Sequence, residues 1–302
     1  MSYITVCTPT YNRAYLLHRP FESLMKQTFK DFEWLIIDDG STDNTEEVIK
    51  KFCDIADFKI TYVKQENQGR AAALNTSYDY INTKYVINLD SDDEYLPDTL
   101  EKIHDIWESI PKDQYSRFWC ITGHSADQNG KIIGRLWPER INEKRGRRQH
   151  KEIIKYKGGE KSCCRKTEVL RQNRFPKYPD TKFVPEDIVW EKINKQYDQY
   201  CVNETFRIYH TDSADSLISG KQFSEVRKIS YYYYYLFYVN ECQDQFFYNR
   251  ISRRAFLDVS RLAILTRRGY RKVMGELKGP WRKVLVSIFW PAMFIFDKLY
   301  YK

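Results

Sequence analysis

At 302 residues, with 42% hydrophobic and 30% charged side chains, the chain has a globular composition and can bury one large core or two smaller ones, which excludes a mostly disordered polypeptide. The formal net charge of +8 is unevenly spread: residues 267–302 carry nine Lys/Arg against Glu276 and Asp297, a net +7. Basicity confined to the tail points to a local contact with an anionic surface and away from a nucleic-acid-binding body.

The seven cysteines show no C-x-x-C pair and no metal-ligand spacing, the pattern of reduced thiols in a cytosolic setting. The first residues pass directly into a β-branched run, Tyr3 to Thr8, read as a first strand that leaves no room for a targeting segment. Thr8-Pro9 is expected to end that strand, because proline cannot continue a central ladder. A helix follows over Pro20 to Gln27, then a buried strand Glu33 to Ile37 that runs into Asp38-Asp39-Gly40-Ser41-Thr42-Asp43. That cap-rich cluster starts a helix over Asn44 to Phe52. Phe58 to Val63 reads as a third strand, and Asn67-Gln68-Gly69-Arg70 opens a helix through Tyr80. A fourth strand, Tyr85 to Leu89, ends in Asp90-Ser91-Asp92-Asp93-Glu94, with a helix start at Pro97-Asp98.

Strands alternating with helices at this spacing predict βαβ units and a mostly parallel sheet, whose ligands lie beyond the carboxyl ends of the strands. Tyr11, Asp39, Asn67, Asp90 and Asp92 all follow strand ends and should meet on one edge. In extended chain, residues i and i+2 share a side, so Asp90 and Asp92 are expected to face one ligand together. Crowded carboxylates need a cation or hydrogen-bond donors among them, and a hard divalent ion carrying substrate phosphates suits such a site.

Four stretches in this order and spacing, Thr8-Pro9-Thr10-Tyr11-Asn12-Arg13, Asp38 to Asp43, Asn67-Gln68-Gly69 and Leu89-Asp90-Ser91-Asp92-Asp93, resemble the family 2 glycosyltransferases of the GT-A fold. The resemblance implies an α/β protein with a Rossmann-like, mostly parallel sheet flanked by helices. It also implies an inverting transferase that uses a nucleotide-diphosphate sugar, uridine-linked by default, and manganese or magnesium. By position, Pro9 and Tyr11 would line the base pocket and Asp39 would accept from the base. Asn67 and Arg70 would bound the nucleotide, with Thr8, Arg13, Gly69 and Ser91 completing the donor site. Asp90 would approach the ribose and Asp92 would bind the metal. Arg70 departs from the pattern, since many relatives place the basic residue later.

In the middle of the chain, Trp119 to Ser125 and Lys131 to Leu136 read as a hairpin turning at Asn129-Gly130. Residues 140–157, dense in Lys/Arg, read as a loop, either solvated or closing over a phosphate, and Glu160 to Arg165 as a strand. Pro185-Glu186-Asp187 is an ordinary helix start by its residues alone. The resemblance places a Glu-Asp pair near the acceptor, which makes Asp187 the expected base and Glu186 its neighbour. Within Phe206 to Ser213 the resemblance singles out His210 as a further contact to the metal or the diphosphate.

From about Gln222 the chain becomes helical and aromatic-rich, including Tyr231 to Tyr235. After Gly279-Pro280, an apolar run from Val284 to Phe296 flanked by Arg282-Lys283 and Lys298 is too short to span a bilayer and fits an interfacial helix on an anionic leaflet, or a terminal helix packed on the domain or on a dimer partner. The domains expected are a transferase domain over 1–215, with a nucleotide-sugar half 1–97 and an acceptor half 98–215, and a helical extension over 216–302. The function expected is sugar transfer to a glycan or lipid-linked acceptor in bacterial surface-polysaccharide synthesis, at the inner face of the cell membrane. A metal-dependent phosphotransferase or nucleotidyltransferase, and a non-catalytic sugar-nucleotide scaffold, are the alternatives; no G-x-x-x-x-G-K-[ST] loop is present.

Overall fold

The structure, a computed structural model, describes residues 2–156, 158–211 and 221–300, with side chains described for 2–156, 158–211 and 226–295. Asp212 and Ser213, which close the stretch containing His210, lie outside the described residues. The chain divides into two compact units: Met1–Phe175 with Lys192–Ala214, and Pro176–Glu191 with Asp215–Lys302.

The first unit is built on eight strands: β1 (Ile4–Thr10), β2 (Phe32–Asp38), β3 (Lys59–Lys64), β4 (Tyr85–Asn88), β5 (Glu94–Tyr95), β6 (Phe118–Ala126), β7 (Lys161–Lys166) and β8 (Asp198–Ile208). They form one sheet in the order β3-β2-β1-β4-β7-β6-β8-β5. β3, β2, β1 and β4 are parallel neighbours, as are β6 and β8, whereas β7 runs antiparallel to β4 and β6, and β5 to β8. The sheet is thus mixed, with parallel pairs in the majority.

The parallel half follows from its sequence. β1 is buried along both faces, as a strand between two layers of helices must be, and so reads as a continuous apolar and β-branched run. Trp34 is fully buried on β2, and its indole N–H donates to Thr8 Oγ1 at 2.8 Å. Around it Phe21 and Phe52, from the helices His18–Met25 and Thr45–Ile55, stack at 4.1 Å. On the far side of β1, Tyr85 stacks on Trp107 of the helix Thr99–Ser109 at 4.4 Å. Aromatic pairs of this kind add stabilisation beyond the area they bury.

Three expectations are corrected. β1 runs on through Pro9, which pairs in register with Ile37 of β2. The β1–β4 ladder stops at Cys7 and Asn88, and Cys7 O accepts from Leu89 N on that side. Alternation points Pro9 the same way, to where no partner strand continues, so its missing N–H costs no ladder bond.

The expected hairpin is reduced to its tip: after β6, the turn at Asn129-Gly130 is closed by Asp127 Oδ1, which accepts from Asn129 N and Lys131 N, and the return limb pairs through Asp127 N to Lys131 O, Ile133 N to Ser125 O and the single bridge Ala126 to Ile132, without forming a strand. β6 instead takes β7 and β8 as neighbours.

The basic stretch 140–157 contains a helix, Arg147–Tyr156. Asp198 Oδ1 accepts from Gly146 N just before it, and Ile153 packs with Trp137, Ile141 and Cys201. Lys157 lies outside the described residues.

The second unit holds the helices Lys221–Glu241, Arg250–Leu265, Tyr270–Glu276 and Pro280–Tyr300. Segment 176–191 belongs to it: Tyr178 stacks on Tyr233 at 3.8 Å, and Asp180 accepts from the Tyr233 hydroxyl at 2.8 Å and pairs with Arg268. The tyrosines of the Tyr231–Tyr235 run therefore serve packing and anchoring: Tyr232 is fully buried, and Tyr233 and Tyr234 nearly so. None of the described helices is long and apolar enough to cross a membrane.

Candidate active site

The loops after β1, β2 and β3 are clamped to one another at the carboxyl edge of the sheet. Asn12 takes a positive φ of 51°, a conformation asparagine tolerates better than most residues. Its N–H donates to Ser41 Oγ at 2.8 Å and its Oδ1 accepts from Thr42 N at 2.8 Å. Asp38 shapes the second loop, with Oδ1 accepting from Ser41 N at 2.7 Å and Oδ2 from the Tyr62 hydroxyl at 2.6 Å. Gly40 lets the third loop close in, since a Cβ there would lie 2.9 Å from Asn67 N and its φ is +86°.

Asp39 is nearly buried, and its carboxylate accepts from Gln65 Nε2 (2.7 Å), Gln68 N (2.9 Å) and Gly69 N (2.7 Å). A carboxylate offers about four acceptor positions, so one remains for a ligand donor. Tyr11 stands at the end of β1 with about half its surface exposed, an open aromatic face beside this carboxylate's strand end. Thr8 is buried and its hydroxyl is engaged by Trp34, so it supports the site from behind.

The acidic run after β4 is not extended. Asp93 N donates to Asp90 O at 3.2 Å, closing a turn over Asp90–Asp93 that sends Asp92 to Arg13 while Asp90 and Asp93 share Arg207. Asp90 accepts from Arg70 Nη2 at 2.7 Å and Arg207 Nη1 at 3.0 Å. Asp92 Oδ2 accepts from Arg13 Nη1 at 2.5 Å, and its backbone carbonyl accepts from Arg19 Nη1 at 3.3 Å. Asp93 is fully buried, with Oδ2 3.2 Å from Arg207 Nη1 and Oδ1 accepting from His210 N at 2.9 Å. Ser91, between the two outward carboxylates, is itself buried.

These pairings set the charge states. Burial pushes Asp90 up, but Arg70, Arg207 and Arg13 outweigh it and hold the carboxyl well below the usual range. Asp93 goes the other way: burial pushes it up to about 7, with Arg207 opposing and Asp90 adding to the rise. Asp90 is thus a firm anion at the mouth of the site, while Asp93 is structural.

His210 Nε2 lies 2.8 Å from Glu94 Oε1, and Nδ1 lies 2.7 Å from Gln128 Nε2. Glu186 and Asp187 belong to the second unit, at the start of the helix Asp187–Ile193. Glu186 O accepts from Val189 N at 2.9 Å, and Asp187 Oδ2 accepts from the Tyr234 hydroxyl at 3.4 Å.

The structure therefore brings Asp39, the Asn67–Arg70 loop, Asp90, Asp92 and Arg13 to one edge of the sheet through named contacts. Arg207 is the organising residue that the motifs did not single out. It is buried on β8, reaching Asp90, Asp93 and Glu160 and donating from Nε to Ser125 Oγ at 3.1 Å. A guanidinium between Phe206 and Ile208 in a strand was the available signal, because a buried arginine requires carboxylate partners. Among the described residues no three His, Cys, Asp or Glu side chains gather into a metal cage. The oxygen donors of Asp92 nevertheless fit a hard ion that arrives with phosphate oxygens of its own.

Known proteins share the fold. Over the whole chain the fold is similar to that of Staphylococcus aureus TarS residues 1–349 in complex with UDP-GlcNAc, at 16% identity and a TM-score of 0.56 over 99% of this chain and 93% of that one. It is also similar to the mannosyltransferase PcManGT of Pyrobaculum calidifontis in complex with GDP-Man and Mn2+, at 17% identity and a TM-score of 0.51 over 99% and 76% of the two chains. In sequence the chain is 39% identical over 101 residues to glycosyltransferase GlyA of Streptococcus pneumoniae, a match covering 33% of this chain and 14% of that protein. It is 26% identical over 223 residues, 73% of this chain and 68% of the relative, to the GalNAc(5)-diNAcBac-PP-undecaprenol beta-1,3-glucosyltransferase of Campylobacter jejuni. Relatives such as GlyA and the Nostoc glycosyltransferase alr2836 are much longer than the match, which spans 14% and 33% of them. Residues 5–167, which run from β1 just past β7 and hold every clamped loop described above except that of His210, match the model of glycosyl transferase family 2, and the chain belongs to that family.

Proposed function

We propose that this chain transfers a sugar, with inversion, from a nucleotide-diphosphate sugar to a hydroxyl of a glycan or lipid-linked acceptor in bacterial surface-polysaccharide synthesis. The observation that carries the reading is the separate tethering of three carboxylates at the sheet edge: Asp39 by the third loop, Asp90 by Arg70 and Arg207, and Asp92 by Arg13. Each is left to meet a different part of one donor. TarS crystallised with UDP-GlcNAc and the Campylobacter enzyme's undecaprenol-linked acceptor support the donor and acceptor classes.

In this reading Tyr11 and Pro9 flank the base, and Asp39 takes a base N–H on its remaining acceptor position. Asn67, Gly69 and Arg70 bound the nucleotide, and Asp90 accepts from a ribose hydroxyl. Asp92 would hold a manganese or magnesium ion, which would supply charge neutralisation of the diphosphate leaving group. His210, whose ring nitrogens now face Glu94 and Gln128, would be a further contact to that ion or to the diphosphate. Arg13 turns from Asp92 toward the diphosphate. Asp187, with Glu186 beside it, takes the acceptor's hydroxyl proton as that oxygen bonds to the anomeric carbon. The bond from the anomeric carbon to the diphosphate breaks on the opposite face, and the diphosphate leaves with the electron pair. An acceptor of this kind places the work at the inner face of the cell membrane.

Calorimetric titration of the full chain with nucleotide-diphosphate sugars, with manganese and then with chelator, tests the donor assignment. Metal-dependent binding of one sugar nucleotide, lost in Asp92→Ala, is expected. A folded chain that binds none of them, or binds equally well without Asp92, overturns it.

A further inference from the structure

The helix Pro280–Tyr300 has two apolar faces, and the second unit uses only one of them. Arg282 fixes its rotation by donating to the carbonyls that end the helix Lys221–Glu241, from Nε to Val239 O at 2.8 Å and from Nη2 to Asn240 O at 3.1 Å. A cation at a helix C-terminus satisfies orphan carbonyls and the helix dipole together. Val286, one turn further on the same side, is fully buried. At 3.6 residues per turn, Trp281, Val284, Ile288, Pro291, Ala292 and Ile295 fall within an arc of about 100° on the opposite side. All six are exposed, Val284 at 58% and Ile288 at 62%.

This face continues into the preceding helix, Tyr270–Glu276. Tyr270, Met274, Lys283, Val284, Ser287 and Ile288 line an open groove of about 490 Å³ between the two helices. The Tyr270 and Ser287 hydroxyls bond to each other at 2.6 Å, which leaves Lys283 as the charged member of the lining. Arg267, Arg271, Lys272 and Lys283 are exposed around these helices. The segment 267–302 carries seven of the chain's eight net positive charges.

An apolar stripe this continuous is not an ordinary surface feature, and it marks an interaction site. We propose that the outward face of the helix Pro280–Tyr300, with the groove beside it, is a docking surface for an anionic lipid leaflet. Trp281, Val284, Ile288 and Ile295 enter the acyl boundary, the groove takes part of one acyl chain, and the basic residues meet the headgroup phosphates. Charge selects this occupant: the exposed Arg267, Arg271, Lys272 and Lys283 repel a second copy of the same surface but complement an anionic bilayer. Lying in the interface also agrees with the absence, among the described helices, of one able to span. The inference rests on the membrane-face reading above and adds the surface and the lipid charge that would achieve it.

The test is co-sedimentation of the full chain with vesicles of phosphatidylcholine, alone and with phosphatidylglycerol, for the native sequence and for Val284→Glu/Ile288→Glu. The changed side chains are exposed, so the fold is expected to survive, as checked by circular dichroism and by unchanged sugar-nucleotide binding. Binding to the phosphatidylglycerol vesicles is expected to weaken with salt, to fall about tenfold or more in the double variant, and to be small on phosphatidylcholine alone. Equal binding by native and double-variant chains, or no binding by the native chain, overturns the proposal. So does light scattering that shows a dimer which only the double variant dissociates, since a second copy then covers the face. Sugar-nucleotide binding with no vesicle binding would reject this surface and leave the donor assignment standing; the converse would do the opposite.

Discussion

The Arg13–Asp92 pair makes a prediction that can be measured without turnover. Asp92 is the carboxylate proposed to hold the divalent ion, yet its Oδ2 is 2.5 Å from Arg13 Nη1, with both side chains 15% exposed. A metal arriving alone must displace this guanidinium and then sit beside its charge. A charge-assisted hydrogen bond of this kind is worth about 1.5–3 kcal/mol. A divalent ion and a guanidinium about 4 Å apart near a protein surface add a repulsion of the order of 8 kcal/mol before screening and side-chain movement reduce it. Arg13→Met should therefore tighten manganese binding in the absence of nucleotide by at least about 1.5–3 kcal/mol, or roughly 10- to 150-fold. With uridine diphosphate present the gain should shrink, because in the native chain the diphosphate gives Arg13 another partner. The coupling between metal and nucleotide should accordingly be weaker in the variant. The assay is manganese titration followed by the electron paramagnetic resonance signal of the free ion, with and without the nucleotide, and with Asp92→Ala as the control that loses the site. Metal binding no tighter in Arg13→Met than in the native chain, at unchanged circular dichroism, would refute the reasoning.

Two further outcomes are expected. Arg207→Met leaves buried Asp93 and the Asp90 carboxylate without their shared cation, and should cost about 3–5 kcal/mol in chemical denaturation followed by tryptophan fluorescence. Adding Asp93→Asn should recover part of that loss, and additive losses would show that the two side chains do not interact. Asp187→Asn should keep sugar-nucleotide affinity and lower transfer by about 10²- to 10⁴-fold, the usual contribution of a general base. Transfer at the native rate would remove Asp187 from that role.

Much of the first hundred residues was legible in sequence because their structure is local. Strands β1 to β4 are runs of β-branched and apolar residues separated by single helices, and a buried parallel sheet has few other ways to be written. Asp39 and Asp90 follow strand ends, and parallel topology alone carries both to the same edge. The middle of the chain resisted for the opposite reason. Asn129-Gly130 does turn the chain, but β6 takes β7 and β8 as its neighbours, so the return limb keeps only a short pairing around Ala126. Pro9 is tolerated inside β1, which the sequence does not reveal because it does not say on which side, or for how long, a neighbouring strand continues.

What the sequence by itself determined is the succession of strands and helices in the parallel half, which motifs follow the strand ends, and the basic, apolar tail. Tertiary structure alone decided the partners. Three carboxylates within four residues look equivalent in the string, and become one firm anion, one carboxylate latched by Arg13 and one buried group near neutrality. The difference comes from arginines 20, 79 and 117 residues away, brought near by the sheet. Segment 176–191 likewise joins the helical unit through Tyr178, Asp180 and their contacts to Tyr233 and Arg268. Charge state and anchoring depend on burial and on long-range partners, and neither is a property of the local chain.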